Sequence, residues 1–240
     1  MLLHMQSLTI IIPCFNEESR LDAAAFTEFA SLHPQTRLVF VNDGSTDDTL
    51  KILEQFQRNL TSIEIVSLTK NQGKAEAVRT GILLALKNPT HYIGYLDADL
   101  STSLEEFYTI YETAQQKDLD MVLASRIKKI DTRIERSVFR HITGRTLATI
   151  IDHRFRLGVY DTQCGAKLFK SGLIKKVAAE PFSTKWFFDV EILLRVKKLH
   201  PEIKSTEVPL KQWINVRNSR IGIWSFPSVA KDLFSLFNHY

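Results

Sequence analysis

The sequence predicts an α/β protein built on a central, mostly parallel sheet flanked by helices. Three observations predict it. Short β-branched runs alternate with helix-period stretches through the first half of the chain, an order that implies right-handed crossovers between parallel strands. Polar residues cluster just past four of the predicted strands, at the edge where open α/β sheets bind ligands. The composition, 240 residues with 44% hydrophobic, 24% charged, 9 Gly and 7 Pro, is that of an ordinary globular chain and excludes disordered, collagen-like and disulfide-scaffold classes.

Each element has its own signal. Residues 8–12 are an apolar β-branched run closed by Pro13, the pattern of a buried strand. A helix follows around 21–32, and 37–42 is a second strand. Asp43-Gly44-Ser45 makes a turn, with Ser45 or Thr46 able to cap a helix that runs to about residue 57. A third strand covers 63–68. The helix expected over 74–86 gathers Val78, Ile82 and Leu86 on one face. A fourth strand, 92–96, ends in Asp97-Ala98-Asp99, and Ser103 with Glu106 is a capping box opening the next helix. After a strand at 121–125 the alternation weakens into one or two basic amphipathic helices over 131–157, a strand over 165–170, a helix over 186–199 and a last strand over 204–210. No linker composition or internal repeat interrupts the chain, so a single domain over 1–240 in two lobes is expected.

The formal net charge of +4 is unevenly spread. From Arg126 to Arg156 nine Lys/Arg stand against Asp131, Glu135 and Asp152, a local +6 that leaves the rest at −2. That excess suits an anionic partner or, more blandly, a solvated helical face. Two cysteines, Cys14 and Cys164, form no disulfide framework and suit a reducing compartment. No apolar run approaches the roughly 20 residues that span a bilayer, and residues 1–5 lack the features of a secretion signal. A soluble intracellular protein is therefore expected.

The strongest chemical signal is Asp97-Ala98-Asp99 at a strand end. Residues two apart in extended backbone point to one side, so both carboxylates converge. Paired carboxylates repel unless a cation intervenes, and oxygen-only ligation favours a hard ion, Mg²⁺ or Mn²⁺. The alternative is that these acids merely cap the next helix, although Ser103 already serves there. No Gly-x-x-x-x-Gly-Lys-Ser/Thr or Gly-x-Gly-x-x-Gly loop follows the first strand. A bound nucleotide would then rely on a metal and on basic side chains. Asp43 suits a base or ribose, while Lys74 suits a diphosphate or is simply a surface lysine. Trp186 and Trp213 suit sugar stacking or the core. Cys164 reads as a packed residue rather than a nucleophile, since no His motif flanks it.

Pro13-Cys14-Phe15-Asn16-Glu17, Val41-Asn42-Asp43-Gly44-Ser45-Thr46-Asp47, Asn71-Gln72-Gly73-Lys74 and Asp97-Ala98-Asp99 resemble the serial motifs of family 2 glycosyltransferases with the GT-A, nucleotide-diphospho-sugar transferase fold. Ala124-Ser125-Arg126, the run from Asp161 to Phe169 and the run from Trp186 to Glu191 resemble the dolichyl-phosphate β-glucosyltransferase branch, related to dolichol-phosphate mannose synthase. The resemblance spans about 8–235. It implies a nucleotide-binding half (about 8–125) and an acceptor-binding half (about 126–240). Pro13, Phe15, Glu17 and Asp43 would hold uracil or another base. Asp97 would lie near the ribose and metal, with Asp99 as the direct metal ligand. Arg126 would approach the diphosphate or acceptor phosphate, and Asp189 falls where relatives with hydroxyl acceptors place a general base. Asn218-Ser219-Arg220 resembles a loop that closes over the donor phosphates, with Ser219 and Arg220 as donor contacts. Ser101 stands where mannose synthases carry a metal-binding Gln, and Asn218 replaces the loop's Gly.

The resemblance thus implies an inverting, metal-dependent hexosyltransferase moving glucose from a UDP-type donor to polyprenyl or dolichyl phosphate. A phosphate acceptor arrives anionic and needs no strong base; a glycan hydroxyl would need Asp189 to take its proton. Transfer to a glycan hydroxyl and, more remotely, non-catalytic binding of nucleotide sugars stay as alternatives. The basic 126–156 segment, with Val138, Phe139, Ile142, Leu147, Ile150 and Ile151, has the make-up of an interfacial helix. A peripheral protein on the cytoplasmic face of a membrane is expected, with no nucleic-acid partner and the oligomeric state left open.

Overall fold

The computed structural model describes residues 7–135, 138–214 and 226–240. Its elements run β1 (Leu8–Cys14), α1 (Ala23–Leu32), β2 (Arg37–Asn42), α2 (Thr49–Asn59), β3 (Ile63–Ser67), α3 (Lys74–Ala85), β4 (Tyr92–Leu96), α4 (Leu104–Gln116) and β5 (Met121–Ser125). They continue as β6 (Arg133–Glu135), α5 (Val138–Phe155), β7 (Ala166–Lys170), α6 (Ser171–Val177), α7 (Phe188–Leu199), β8 (Ser205–Pro209), β9 (Gln212–Ile214) and α8 (Phe226–His239). Among the described residues seven strands form one sheet in the order β3-β2-β1-β4-β7-β5-β8. Neighbours are parallel except at β7, which runs antiparallel to both β4 and β5.

The period-2 pattern sorts side chains between two cores. Ile10 and Ile12 of β1, with Phe40 of β2, pack against Phe26 and Phe29 of α1, Phe56 of α2 and Phe107 of α4. Ile11, Val39 and Val41 face the other way, onto Val78 and Ile82 of α3, and that core continues to Phe188 and Ile192 of α7. Strands covered on both faces read as unbroken apolar runs, which is why 8–12 is legible. Each such side chain contributes roughly 1.5–3 kcal/mol by leaving water. A third cluster joins α5 (Ile151, Phe155), α7 (Val190, Leu194) and α8 (Leu233, Leu236).

Several expectations are corrected. Strand β1 continues through Pro13 to Cys14, because its pairing with β4 has ended at Ile11. Ser45 and Thr46 do not cap α2, which starts at Thr49; both instead bond to Asn16, whose amide donates to Ser45 Oγ at 3.0 Å. Ser103 does cap α4, accepting from the Glu106 amide at 3.1 Å, but Glu106 reaches the Lys211 amide rather than completing the box. Residues 133–135, expected as helix, form β6 and pair in parallel with β9. The described apolar residues of α5 split between the core (Leu147, Ile151, Phe155) and solvent (Ile142, Ile150), so it lacks a single stripe. Among the described residues no helix is long and apolar enough to cross a membrane.

Candidate active site

The site follows from register. In the antiparallel β4–β7 pair Tyr95 lies opposite Lys167 and Leu96 opposite Ala166. The ladder runs one step further, the Asp97 amide donating to the Gly165 carbonyl at 3.1 Å. Tyr95 and Asp97, two apart, share a face with Lys167. Gly165 lets the Asp97 carboxylate lie where a Cβ would otherwise stand.

Four strand-end loops bond to one another around that point. Both oxygens of the buried Asp43 carboxylate accept backbone N–H groups, from Gln72 at 2.7 Å and Gly73 at 2.8 Å. Asp43 therefore pins the loop that delivers Lys74, the first residue of α3, and Lys74 Nζ forms an ion pair with Asp97 Oδ1. Gly73 makes this turn at φ 95°, open to glycine and strained for most other residues. Asp99 Oδ1 accepts the Ser101 amide at 3.0 Å, and Arg20 Nη1 lies 3.9 Å from Asp99 Oδ2 while Nη2 donates to Glu17 Oε1 at 2.5 Å. Each carboxylate of the pair thus has a basic side chain beside it, cations that the sequence alone does not place there.

Burial would lower the Lys74 pKa, but the Asp97, Asp189 and Asp99 carboxylates outweigh it and hold the ammonium above the ordinary lysine value. About 36% of the Lys74 side chain and 39% of that of Asp97 reach solvent, although the space around Nζ is densely packed. Asp189, in the first turn of α7, is buried; its Oδ1 accepts from Tyr95 Oη at 2.5 Å and from Lys167 Nζ at 2.5 Å. Lys167 is wholly buried and also donates to the Cys164 carbonyl at 2.6 Å. Burial, then the Asp189 charge, pushes the Tyr95 phenol well above its usual value, so it acts as a donor.

Arg126 does not point freely at the site's edge. Its Nε and Nη2 grip the Asp161 carboxylate at 2.7 and 2.8 Å, and the guanidinium sits 5.3 Å from the Trp213 ring centroid. Burial would raise the Asp161 pKa, yet the bonds and charge of Arg126 hold it down at about 2. The Tyr160 and Asp161 amides donate to Glu207 of β8, which fixes this loop. Trp186 packs beside the α5–α7–α8 cluster and Trp213 beside the core under α4. Burial pushes the Cys164 thiol up to about 11, which leaves no thiolate for attack at neutral pH.

Pro13 and Phe15 are half-buried at the end of β1, and the nearly buried Glu17 receives the Thr49 hydroxyl oxygen as acceptor for its own amide at 2.7 Å. Ser219 and Arg220 lie outside the described residues, as do Asn218 and the side chains of Val138 and Phe139. Among the described residues no group of three or more His, Cys, Asp or Glu gathers to hold a metal. Among the described residues, the Asp97 and Asp99 oxygens would suit a hard cation completed by water and phosphate. Both carboxylates already draw cationic groups, so the charge fits.

Sequence reasoning missed Lys167, Tyr95, Arg20 and the Arg126–Asp161 fork. A lysine in an apolar strand is the one signal that would have found Lys167, since an unpaired ammonium is rarely buried.

The model of Glycosyl transferase family 2 matches residues 9–178. The dolichyl-phosphate beta-glucosyltransferase of Dictyostelium discoideum is 28% identical over 249 residues, covering 97% of this chain and 74% of its own. That of Saccharomyces cerevisiae is 29% identical over 254 residues, covering 94% and 72%. Among solved structures, glucosyl-3-phosphoglycerate synthase from Mycobacterium tuberculosis, in complex with Mn²⁺, UDP and glucosyl-3-phosphoglycerate, aligns with a TM-score of 0.74 and 14% identity over 98% of this chain and 80% of that one.

Proposed function

Because the chain belongs to glycosyltransferase family 2 and has its GT-A fold, we propose that it transfers glucose, with inversion, from a UDP-type donor to a polyprenyl or dolichyl phosphate. What supports the reading most is the near-full-length likeness to dolichyl-phosphate glucosyltransferases, in a chain whose Asp97, Asp99 and Lys74 meet at one sheet edge. In this reading residues of about 8–125 hold the donor and those of about 126–240 the acceptor. Pro13, Phe15 and Glu17 form the wall for the base. Asp43 holds the loop below it and offers its remaining lone pairs to the base. Asp97 and Asp99 would hold Mg²⁺ or Mn²⁺, and such an ion supplies positive charge where the leaving diphosphate gains negative charge. Lys74 adds a second positive charge for that diphosphate, and Ser219 with Arg220 close over it.

A lipid phosphate is already deprotonated and attacks the anomeric carbon directly. Asp189, with two donors on Oδ1, orients the acceptor rather than taking a proton from it. Arg126, braced by Asp161 on two of its nitrogens, presents Nη1 to the acceptor phosphate. The acceptor brings the protein to a membrane: Lys128 and Lys129 are exposed beside Ile130, and Ile142 and Ile150 of α5 are exposed too. Peripheral binding on the cytoplasmic face follows from that reading.

The test is a panel of UDP- and GDP-sugars offered to the purified chain with polyprenyl phosphate or with a free glycan. Glucose appearing on polyprenyl phosphate, from UDP-glucose and only with a divalent ion, is expected. Transfer to the glycan alone would replace this reading with the hydroxyl-acceptor one.

A further inference from the structure

The site holds two lysine–aspartate pairs, and only one of them is built to come apart. Lys167 and Asp189 are sealed, with 0% and 6% of their side chains exposed, whereas Lys74 and Asp97 retain 36% and 39%. Lys74 also feels Asp99 and Asp189 as well as Asp97. Its long side chain springs from the start of α3, on a loop anchored independently by Asp43, so the ammonium can move without disturbing the fold. The Asp97 carboxylate itself fills the place that a Cβ on Gly165 would take, so the backbone of Gly165 holds it against the sheet edge while Lys74 approaches from α3.

We propose that Lys74 is an exchangeable counterion: its ammonium occupies Asp97 until a divalent ion arrives, then transfers to the donor's diphosphate, so that metal and donor bind as a coupled pair. The inference rests on the donor and metal reading above. An ammonium and a divalent ion compete for one carboxylate, so without donor Lys74 opposes the metal. A diphosphate offers Lys74 another anion and removes that opposition. Because binding linkage is reciprocal, metal must favour donor by the same factor as donor favours metal.

Direct bridging of metal and diphosphate also couples the two ligands, so coupling alone does not single out Lys74. Metal binding in the absence of donor does. Calorimetric titration of the full chain with Mn²⁺, without and with UDP, tests it in wild type, Lys74→Gln, Lys74→Arg and Lys70→Gln. Lys70 is an exposed cation on the same loop. In wild type, UDP is expected to tighten Mn²⁺ binding by about 5–150-fold. Lys74→Gln should bind Mn²⁺ alone about tenfold tighter and lose a similar factor of coupling, while Lys74→Arg and Lys70→Gln behave as wild type. Thermal melting checks that each variant is folded. If Lys74→Gln binds Mn²⁺ no tighter while wild type binds both ligands, the exchange is wrong and the donor reading stands. Equal tightening in Lys70→Gln would reduce the effect to a general field and overturn the exchange as well. If wild type binds neither Mn²⁺ nor UDP, the proposed function falls first and takes this inference with it.

Discussion

Asp97 and Asp189 share a lysine partner chemistry and little else. Asp97 closes a sheet edge, meets its lysine across a loop and is only partly open to water. Asp189 begins a helix behind the sheet, and its lysine comes from the strand opposite Tyr95. A buried pair gains little over an apolar one, yet losing one partner is severe because the other charge stays stranded. A pair that water partly reaches is cheaper to break than a sealed one. Burial, rather than residue type, therefore decides which aspartate is a fixture and which can change partners.

The largest effect should come from breaking the sealed pair. Lys167→Met strands the Asp189 charge and the Cys164 carbonyl, and should cost about 3–5 kcal/mol in urea unfolding. Lys74→Met should cost less than about 1 kcal/mol. Equal losses would erase the distinction. Next comes Gly165→Ala. The new methyl meets the free end of the Asp97 side chain rather than backbone, so the carboxylate swings aside and the fold survives. Mn²⁺ or donor affinity should fall on the order of 10–100-fold, with the melting temperature little changed.

A third pair, Arg126–Asp161, calibrates the comparison through pH. Because the folded pKa of Asp161 is depressed to about 2 from 3.8, its stabilisation is full above about pH 4 and is lost as pH falls through about 2. The contribution is about 2 kcal/mol, and acid unfolding of Asp161→Asn against wild type should show the difference shrinking across that window. The smallest effect on turnover is expected at Asp189→Asn, which keeps an oxygen for Tyr95 and Lys167, although it strands the buried Lys167 charge and should lower stability much as Lys167→Met does. Turnover with polyprenyl phosphate at saturating donor should fall by less than about tenfold, whereas loss of a working general base typically costs 10²–10⁴-fold. A fall of that larger size at unchanged acceptor affinity would favour a hydroxyl acceptor.

How much of this is legible beforehand differs between the halves. Strands β1, β2, β4 and β5 are mostly apolar, β3 alternates Ile with Glu, and all are flanked by turn residues, so periodicity finds them, and the Asp97-Ala98-Asp99 spacing exposes the carboxylate pair. Past Ser125 the signals are shorter. Arg133-Ile134-Glu135 has no strand period of its own; it is a strand because Gln212–Ile214 lies beside it. The stretch Ala166–Lys170 reads as a strand, but nothing in it says that it runs backwards between β4 and β5. That one fact puts Lys167 opposite Tyr95 and under Asp189. Pairwise chemistry set by register is invisible until register is known.

The reversed β7 also orders events during synthesis. When the ribosome has made β5, only β3, β2, β1 and β4 have sheet partners, because the neighbours of β5 are β7 and β8. β4 keeps a bare edge until Ala166–Lys170 emerges, about forty residues later, an interval on the order of seconds at the usual rates of elongation. For that time the nascent chain offers an unpaired strand edge of the kind that recruits other chains. The strand that brings Lys167 to the candidate site is therefore also the one that covers the bare edge of β4.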